Sequence, residues 1–247
     1  MEGLDFGIVL LSSVVGYLIG AVSSARIVTR IFGRGRKAVE STELSLDGSE
    51  QKMVLKTVSA TSVSVHIGSK YGFLTYVLDV IKVFVPIMVV KAIFSGQIYF
   101  LFTAFAALVG HVWPIYYRFR GGRGISVIYG TLFAIDWIGV FATSIPGMLI
   151  GLVVLRDMLS AYFLGVLFVI PWLWFRTHNV YYLYFAIAAN VVFTLAMIPE
   201  IKRWLVVRRD SEWGDPTKTM ELSGMGRGLL KMGRKLGLIK DPGNKSD

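Results

Sequence analysis

Phe6-Gly-Ile-Val-Leu-Leu-Ser-Ser-Val-Val-Gly-Tyr-Leu-Ile-Gly-Ala-Val-Ser-Ser-Ala-Arg-Ile27 runs for 22 residues with one charge, and that charge, Arg26, stands at its end. A bilayer's hydrocarbon core of about 30 Å needs roughly 20 consecutive apolar residues of helix, so this stretch is long enough to cross it. The pattern recurs down the chain. Residues 73–94 form a second apolar stretch, which holds Asp79, Lys82 and Lys91, and residues 98–117 a third with aromatic ends. Residues 125–135 are apolar but short for a crossing and are broken by Asp136. Stretches 138–155, 159–175 and 180–198 complete the set. The fold class expected is all-α: a polytopic transmembrane helical bundle of about seven spans, the fourth tilted or shielded by its neighbours.

Composition agrees. Of 247 residues 54% are hydrophobic and 17% charged, with mean hydropathy +0.61. Soluble domains carry about 25% charged residues, so too little polar surface exists here to cover a water-facing globule. The charges cluster at 26–70, at 118–123 and after residue 199. The start lacks a basic segment before its apolar run, so the first stretch reads as a retained span and not a cleaved leader. With no cysteine, disulfides and thiolate metal sites are excluded. His66, His111 and His178 are too widely spaced to suggest a histidine metal site. No metal and no cofactor are expected. A net charge of +10 could signal nucleic acid. In a chain this apolar it points instead to basic loops on one face and to anionic lipid, and no nucleic-acid partner is expected.

Lys and Arg counts orient the chain. With the N-terminus outside, 23 of them fall on the inner side and two, Lys91 and Arg176, on the outer. The expected arrangement is therefore N-terminus out, C-terminus cytoplasmic, in a cell membrane. Two regions follow: a transmembrane domain over 1–199, with 26–70 as a cytoplasmic loop inside it, and a basic cytoplasmic tail over 200–247. In the tail Leu222, Met225, Leu229, Met232, Leu236 and Ile239 recur at steps of three and four, opposite Arg227, Lys231, Arg234 and Lys235. That spacing predicts an amphipathic helix over about 218–240, lying on the anionic inner leaflet or against a partner.

Chemistry concentrates in Gly110-His-Val-Trp-Pro-Ile-Tyr-Tyr-Arg-Phe-Arg-Gly-Gly-Arg-Gly-Ile-Ser126. A Gly121-Gly-Arg-Gly124 turn lets backbone N–H groups approach an anion, and the following helix aims its positive end at the same point. Arg123 offers a planar fork suited to phosphate, with Arg120 beside it. The plainer alternative is a basic loop with a tight turn. The hydroxyls of Ser59, Thr61, Ser62 and Ser64 precede a span and can donate to a phosphate, or equally serve as caps of a helix beginning near Ser62. Both stretches fall on the inner side, one helical hairpin apart. Asp79 and Lys82 share a helix face and read either as a self-neutralising pair or as polar groups of a cavity, with Lys82 in reach of the same phosphate. His111 reads as a general base or as a helix-end residue bonding the loop backbone.

These residues resemble the PlsY family, membrane acyltransferases that move a fatty acyl group from acyl-phosphate to glycerol 3-phosphate. Gly16-Tyr-Leu-Ile-Gly-Ala-Val-Ser-Ser-Ala25 is similar to that family's Gly-Tyr-Leu-Leu-Gly-Ser-Ile-Pro-Ser-Ala. Leu78-Asp-Val-Ile-Lys82 is similar to its Leu-Asp-x-x-Lys. Gly110-His-x-x-Pro114 with Phe119-Arg-Gly-Gly-Arg-Gly124 resembles its Gly-His-x-x-Pro … Phe-x-Gly-Gly-Lys-Gly. The likeness runs from about Gly16 to Ser160. It implies a seven-helix fold and a catalytic role for His111 and Arg123. It also implies a phosphate site among Ser59, Thr61, Ser62, Lys82, Arg120, Gly121, Gly122, Arg123 and Gly124.

The departures are specific. The family's first motif, Gly-Ser-Gly-Asn-x-Gly-Ala-Thr-Asn-x-x-Arg, survives in Ala60 and Thr61. Leu55 stands at its serine, Ser62 at its second asparagine and Val65 at its arginine; Gly48-Ser49 supplies the Gly-Ser pair only with a six-residue insertion. The loop lysine is Arg123. The third motif, Asn-Ile-x-Arg-Leu, survives as Glu200-Ile-Lys-Arg-Trp204. The expected function is acyl transfer from acyl-phosphate to glycerol 3-phosphate or a related phosphorylated acceptor in phospholipid synthesis, with membrane lipids as surroundings. The alternative is a catalytically degenerate, lipid- or phosphate-binding protein of the same fold. A transporter has little support, since no broken-helix repeats are visible.

Overall fold

The computed structural model describes residues 4–35, 42–45, 52–55, 57–155, 157–208 and 231. The helix expected over 218–240 lies, except for Lys231, outside them. Among the described residues ten α-helices form: α1 (Phe6–Gly20), α2 (Ser24–Phe32), α3 (Ala60–His66), α4 (Ser69–Ile93), α5 (Tyr99–Val112), α6 (Ile125–Ile135), α7 (Trp137–Leu149), α8 (Met158–Leu167), α9 (Val169–Thr177) and α10 (Val180–Arg208). The loop expected between the first two spans holds a small antiparallel ribbon, β1 (Thr42–Ser45) and β2 (Lys52–Leu55), with Thr42 opposite Leu55. Among the described residues six stretches are long and apolar enough to cross a membrane: Phe6–Phe32, Ser69–Ile93, Tyr99–Tyr117, Trp137–Val154, Leu159–Thr177 and Val180–Lys202. Ile125–Ile135 is shorter.

The molecule is apolar outside as well as inside. Val83, Ile87, Leu108, Leu132, Leu173, Phe193 and Met197 are buried, while Leu10, Leu11, Phe73, Val85, Ile145 and Val191 point outward. Water would disfavour that exposed set; lipid accepts it, provided each helix satisfies its own backbone. Helix contacts then rest on close approach between small residues. α1 and α5 meet in this way: Gly16 faces the Thr103 backbone, Gly20 the Ala107 backbone, and Gly110 the carbonyl of Tyr17.

The first span is not one helix over 6–27. Asp5 caps α1, accepting from Gly7 N at 2.7 Å. The helix stops at Gly20, and Ser23 starts α2 by accepting from Arg26 N at 3.4 Å. The interruption at 21–23 leaves the Val22 carbonyl to a partner from another helix. The last span also runs further than the pattern suggested. α10 continues without a break through Pro199 and Glu200, so the boundary placed at 199/200 falls inside a helix.

At the end of the bundle away from the glycine loop, Asp136 Oδ2 accepts from Trp172 Nε1 (3.0 Å) and Arg176 Nε (2.9 Å), tying the α6–α7 junction to α9. Asp136→Ala removes both bonds and leaves the indole N–H unpaired. The expected loss is about 1–3 kcal/mol, read as a lower thermal midpoint in detergent with α9 intact by far-UV circular dichroism.

Candidate active site

Helix α3 begins at Ala60, two residues before the start suggested by Ser62. The Ser62 hydroxyl explains the shift: it accepts from Ser59 N (3.0 Å) and donates to Ser59 O (2.8 Å), clamping the turn. Ser62 is thus a brace of the helix start. Ser59 Oγ is buried and makes no hydrogen bond.

On α4, Lys82 Nζ lies 2.8 Å from Asp79 Oδ1, and Ser126 Oγ donates to Asp79 Oδ2 at 3.3 Å. Lys82 also donates to the orphaned Val22 carbonyl (2.7 Å) and contacts His111 Nδ1 (3.0 Å). An ammonium has donors only, so Nδ1 is the acceptor and the ring proton sits on Nε2. The 3.8 Å separation of His111 Nδ1 from Asp79 is then a neutral ring beside a carboxylate, and the ion pair is Asp79–Lys82. Both side chains are at most 11% exposed. Lys82→Met leaves the buried Asp79 carboxylate without its cation, at an expected cost of about 3–5 kcal/mol. The double variant Asp79→Asn, Lys82→Met should unfold later than Lys82→Met alone, which a double-mutant cycle of thermal midpoints checks.

The glycine loop folds back on the end of α5. Arg118 (φ 52°) and Phe119 (φ 60°) are both left-handed, reversing the chain so that Gly122 N donates to His111 O at 3.1 Å. A Cβ at Gly121 would strike the His111 carbonyl, and one at Gly122 the His111 imidazole Nε2; only glycine lets the loop lie this close. Gly124 (φ 91°) then opens α6. The first span holds the loop from the other side. Tyr17 OH donates to Trp113 O (2.9 Å), and Arg26 donates to Arg120 O (3.1 Å) while lying 4.2 Å from the centre of the Tyr117 ring.

Arg123 Nε donates to Glu200 Oε1 at 2.8 Å, with side-chain exposures of 10% and 4%. Thr57 Oγ1 reaches the same oxygen at 3.4 Å. A guanidinium from the glycine loop and a carboxylate from α10 are therefore paired in the interior.

One cavity of about 520 Å³ joins these pieces, lined by Ser59, Thr61 and Ser64, by Arg123 and Gly124, and by Asp79 and His111. That is the size of a site for a small organic ligand. Of the residues singled out from sequence, Ser59, Thr61, His111, Arg123 and Gly124 share this wall, and Lys82 is bonded to two of its members. Gly121 and Gly122 line a small adjoining hollow with Asp79 and His111. Ser62 and Arg120 are on neither wall, and the Arg120 side chain is exposed. Sequence reasoning passed over Tyr76, Ser126 and Tyr162, which also line the cavity. Tyr76 stands three residues before Asp79, a helical spacing that could have marked it; Ser126 and Tyr162 carry no such signal.

Three kinds of likeness bear on this site. A chain from Francisella tularensis subsp. novicida (strain U112) named glycerol-3-phosphate acyltransferase is 27% identical over 199 residues, 80% of this chain and 76% of that one. One of the same name from Legionella pneumophila (strain Paris) is 34% identical over 124 residues, half of this chain but only 40% of its relative's length. The crystal structure of PlsY, an integral membrane glycerol 3-phosphate acyltransferase, in its glycerol 3-phosphate form superposes with a TM-score of 0.68. It is 22% identical, and the match covers 81% of this chain and 93% of that one. The lysophosphatidic acid form gives 0.66 at 25% identity. The model of the family described as glycerol-3-phosphate acyltransferase matches residues 10–206, and the chain belongs to that family.

Proposed function

We propose that this protein transfers a fatty acyl group from acyl-phosphate to a hydroxyl of glycerol 3-phosphate, or of a related phosphorylated acceptor, in phospholipid synthesis. The observation that carries the reading is the single cavity shared by the Ser59–Thr61 turn, Arg123 and the Asp79–Lys82–His111 cluster. In the reaction the acceptor oxygen attacks the acyl carbonyl carbon, the carbon–oxygen bond to phosphate breaks, and the acceptor's proton ends on the released phosphate. Phosphate is a good leaving group, so holding the two reactants together and stabilising charge do most of the work. Arg123 and the start of α6 face the phosphate. Ser59 Oγ and Thr61 donate to it. His111, with its proton on Nε2, is a hydrogen-bond donor to the reacting centre and not a ready base, because Lys82 occupies its other nitrogen.

The 23-to-2 division of Lys and Arg supports a cytoplasmic C-terminus with the cavity mouth on the cytoplasmic side, where soluble glycerol phosphate is met. The basic residues beyond α10, in 209–247, are read as a segment drawn to anionic lipid. The test is direct: purified protein in liposomes, radiolabelled acyl-phosphate and glycerol 3-phosphate, with the acylated product resolved by thin-layer chromatography. Product formation supports the proposal. Its absence with glycerol 3-phosphate and with other phosphorylated polyols favours a second reading, a phosphate- or lipid-binding relative without turnover. The feature favouring that second reading is Glu200, which already occupies Arg123.

A further inference from the structure

Several polar side chains on the cavity wall already have partners in the protein. Ser126 is bonded to Asp79, His111 to Lys82, and Arg123 Nε to Glu200. Two tyrosines on the same wall, Tyr76 of α4 and Tyr162 of α8, make no hydrogen bond with another described residue. The charges beside them separate the two. The Tyr76 hydroxyl feels the carboxylate of Asp79, which repels the oxygens of an anion. The Tyr162 hydroxyl feels Arg123 and Glu200, so it stands at the arginine end of the cavity. There Glu200 takes only the Nε of Arg123, which leaves the two terminal guanidinium nitrogens to a ligand.

The neighbours of Tyr162 in sequence hold it in that place. Gly151, in the π-helical turn that follows α7 (Ile150–Val154), lies against the backbone of Ala161, and Gly147 lies against Gly165. Such approach between small residues is how helices associate in lipid. On the other side of Tyr162, the Phe163 ring lies 5.1 Å from that of Phe193 on α10. Residues 161 and 163 thus fix the rotation of α8, and residue 162 is turned to the cavity wall while its ring packs on the buried core. A hydroxyl without a partner in an apolar interior costs free energy unless something enters to bond it; phenylalanine would fill the same wall without that cost. We infer that Tyr162 is a phosphate-binding residue: its hydroxyl donates to the phosphate group that Arg123 holds. The inference rests on the cavity being the phosphate site proposed above. It adds a donor to that site, one suited to the terminal phosphate that acyl-phosphate and glycerol 3-phosphate share.

The test is the binding of inorganic phosphate at pH 8 to the purified full-length chain in nanodiscs, read by calorimetry and by the rise that phosphate gives in the thermal midpoint. Tyr162→Phe keeps the ring and removes the donor. It should weaken phosphate about tenfold, the worth of one hydrogen bond to a charged group, with a ligand-free midpoint no lower than that of wild type. Tyr129→Phe removes a hydroxyl that bonds Thr143 away from the cavity, and should leave phosphate affinity unchanged. A loss of less than about threefold in Tyr162→Phe overturns the inference. So does a larger loss that Tyr129→Phe shares, or one accompanied by a lowered ligand-free midpoint; the hydroxyl is then a structural group. A wild-type chain that binds no phosphate overturns the phosphate site itself, and this inference with it. A tenfold loss confined to Tyr162→Phe upholds the inference even in a chain that transfers no acyl group, so a failure of the proposed reaction is recognised separately.

Discussion

Arg123→Ala should abolish acyl transfer, with kcat/KM falling at least about 10³-fold, or about 4 kcal/mol of transition-state stabilisation. Arg123 is the only Lys or Arg on the cavity wall among the described residues, so no neighbour there can take over the developing charge. Its side chain is 10% exposed, and a charge-assisted bond made in such surroundings is worth more than one at a wet surface. The same substitution has a second effect that must be separated from the first. It leaves the Glu200 carboxylate buried and unpaired, at an expected cost of about 3–5 kcal/mol in stability. Arg123→Ala combined with Glu200→Gln should recover most of the lost thermal midpoint and none of the activity. An Arg123→Ala chain that stays folded and turns over within tenfold of wild type would remove Arg123 from the mechanism.

Gly20→Leu is expected to prevent folding altogether. The Cβ of any residue at 20 falls inside the contact distance of the Ala107 carbonyl oxygen and Cα, which are backbone atoms of α5 and cannot rotate away. Ordinary overpacking costs about 1–3 kcal/mol because side chains adjust; here two helix axes must separate instead, so the cost should exceed that range. The displaced helix also carries Tyr17 and, beyond the break, Val22 and Arg26, which hold the glycine loop and Lys82. The readout is fluorescence-detected size exclusion of the solubilised protein, in which Gly20→Leu should run as aggregate. Val14→Leu, on the outward face of α1, should run as wild type.

Much of this architecture is legible in the chain because a bilayer enforces it. Long apolar runs with few charges have one stable backbone solution, and five of the runs read from sequence coincide with membrane-length stretches to within about four residues, although several of these stretches are built from more than one helix. The weakness of residues 125–135 was legible too, and α6 is indeed the short helix. The break at 21–23 was not: Val22 and Ser23 are apolar and small enough to sit in a span, and only the arrival of Lys82 from α4 makes an open carbonyl tolerable there. The ribbon at 42–55 was missed although Asp47-Gly48 between its strands is a hairpin signal. At the site, the glycine loop and the hydroxyl turn announced themselves by local composition. Arg123 and Glu200 are 77 residues apart in sequence, and no local period connects them. Glu200 read alone is only a carboxylate where the family's third motif has asparagine. Its partner turns it into half of an ion pair.

Helix α6 has 11 residues, about 16 Å at 1.5 Å per residue, roughly half of a hydrocarbon core of about 30 Å. Its beginning is fixed to the glycine loop, and its far end is drawn toward polar company: Lys91 donates to the Ala134 carbonyl at 3.3 Å, and Asp136 holds Trp172 and Arg176. Of its residues only Phe133 is exposed, the neighbouring helices covering most of the others. The short helix is therefore carried inside the bundle, where non-helical backbone at its two ends is met by protein groups and not by lipid.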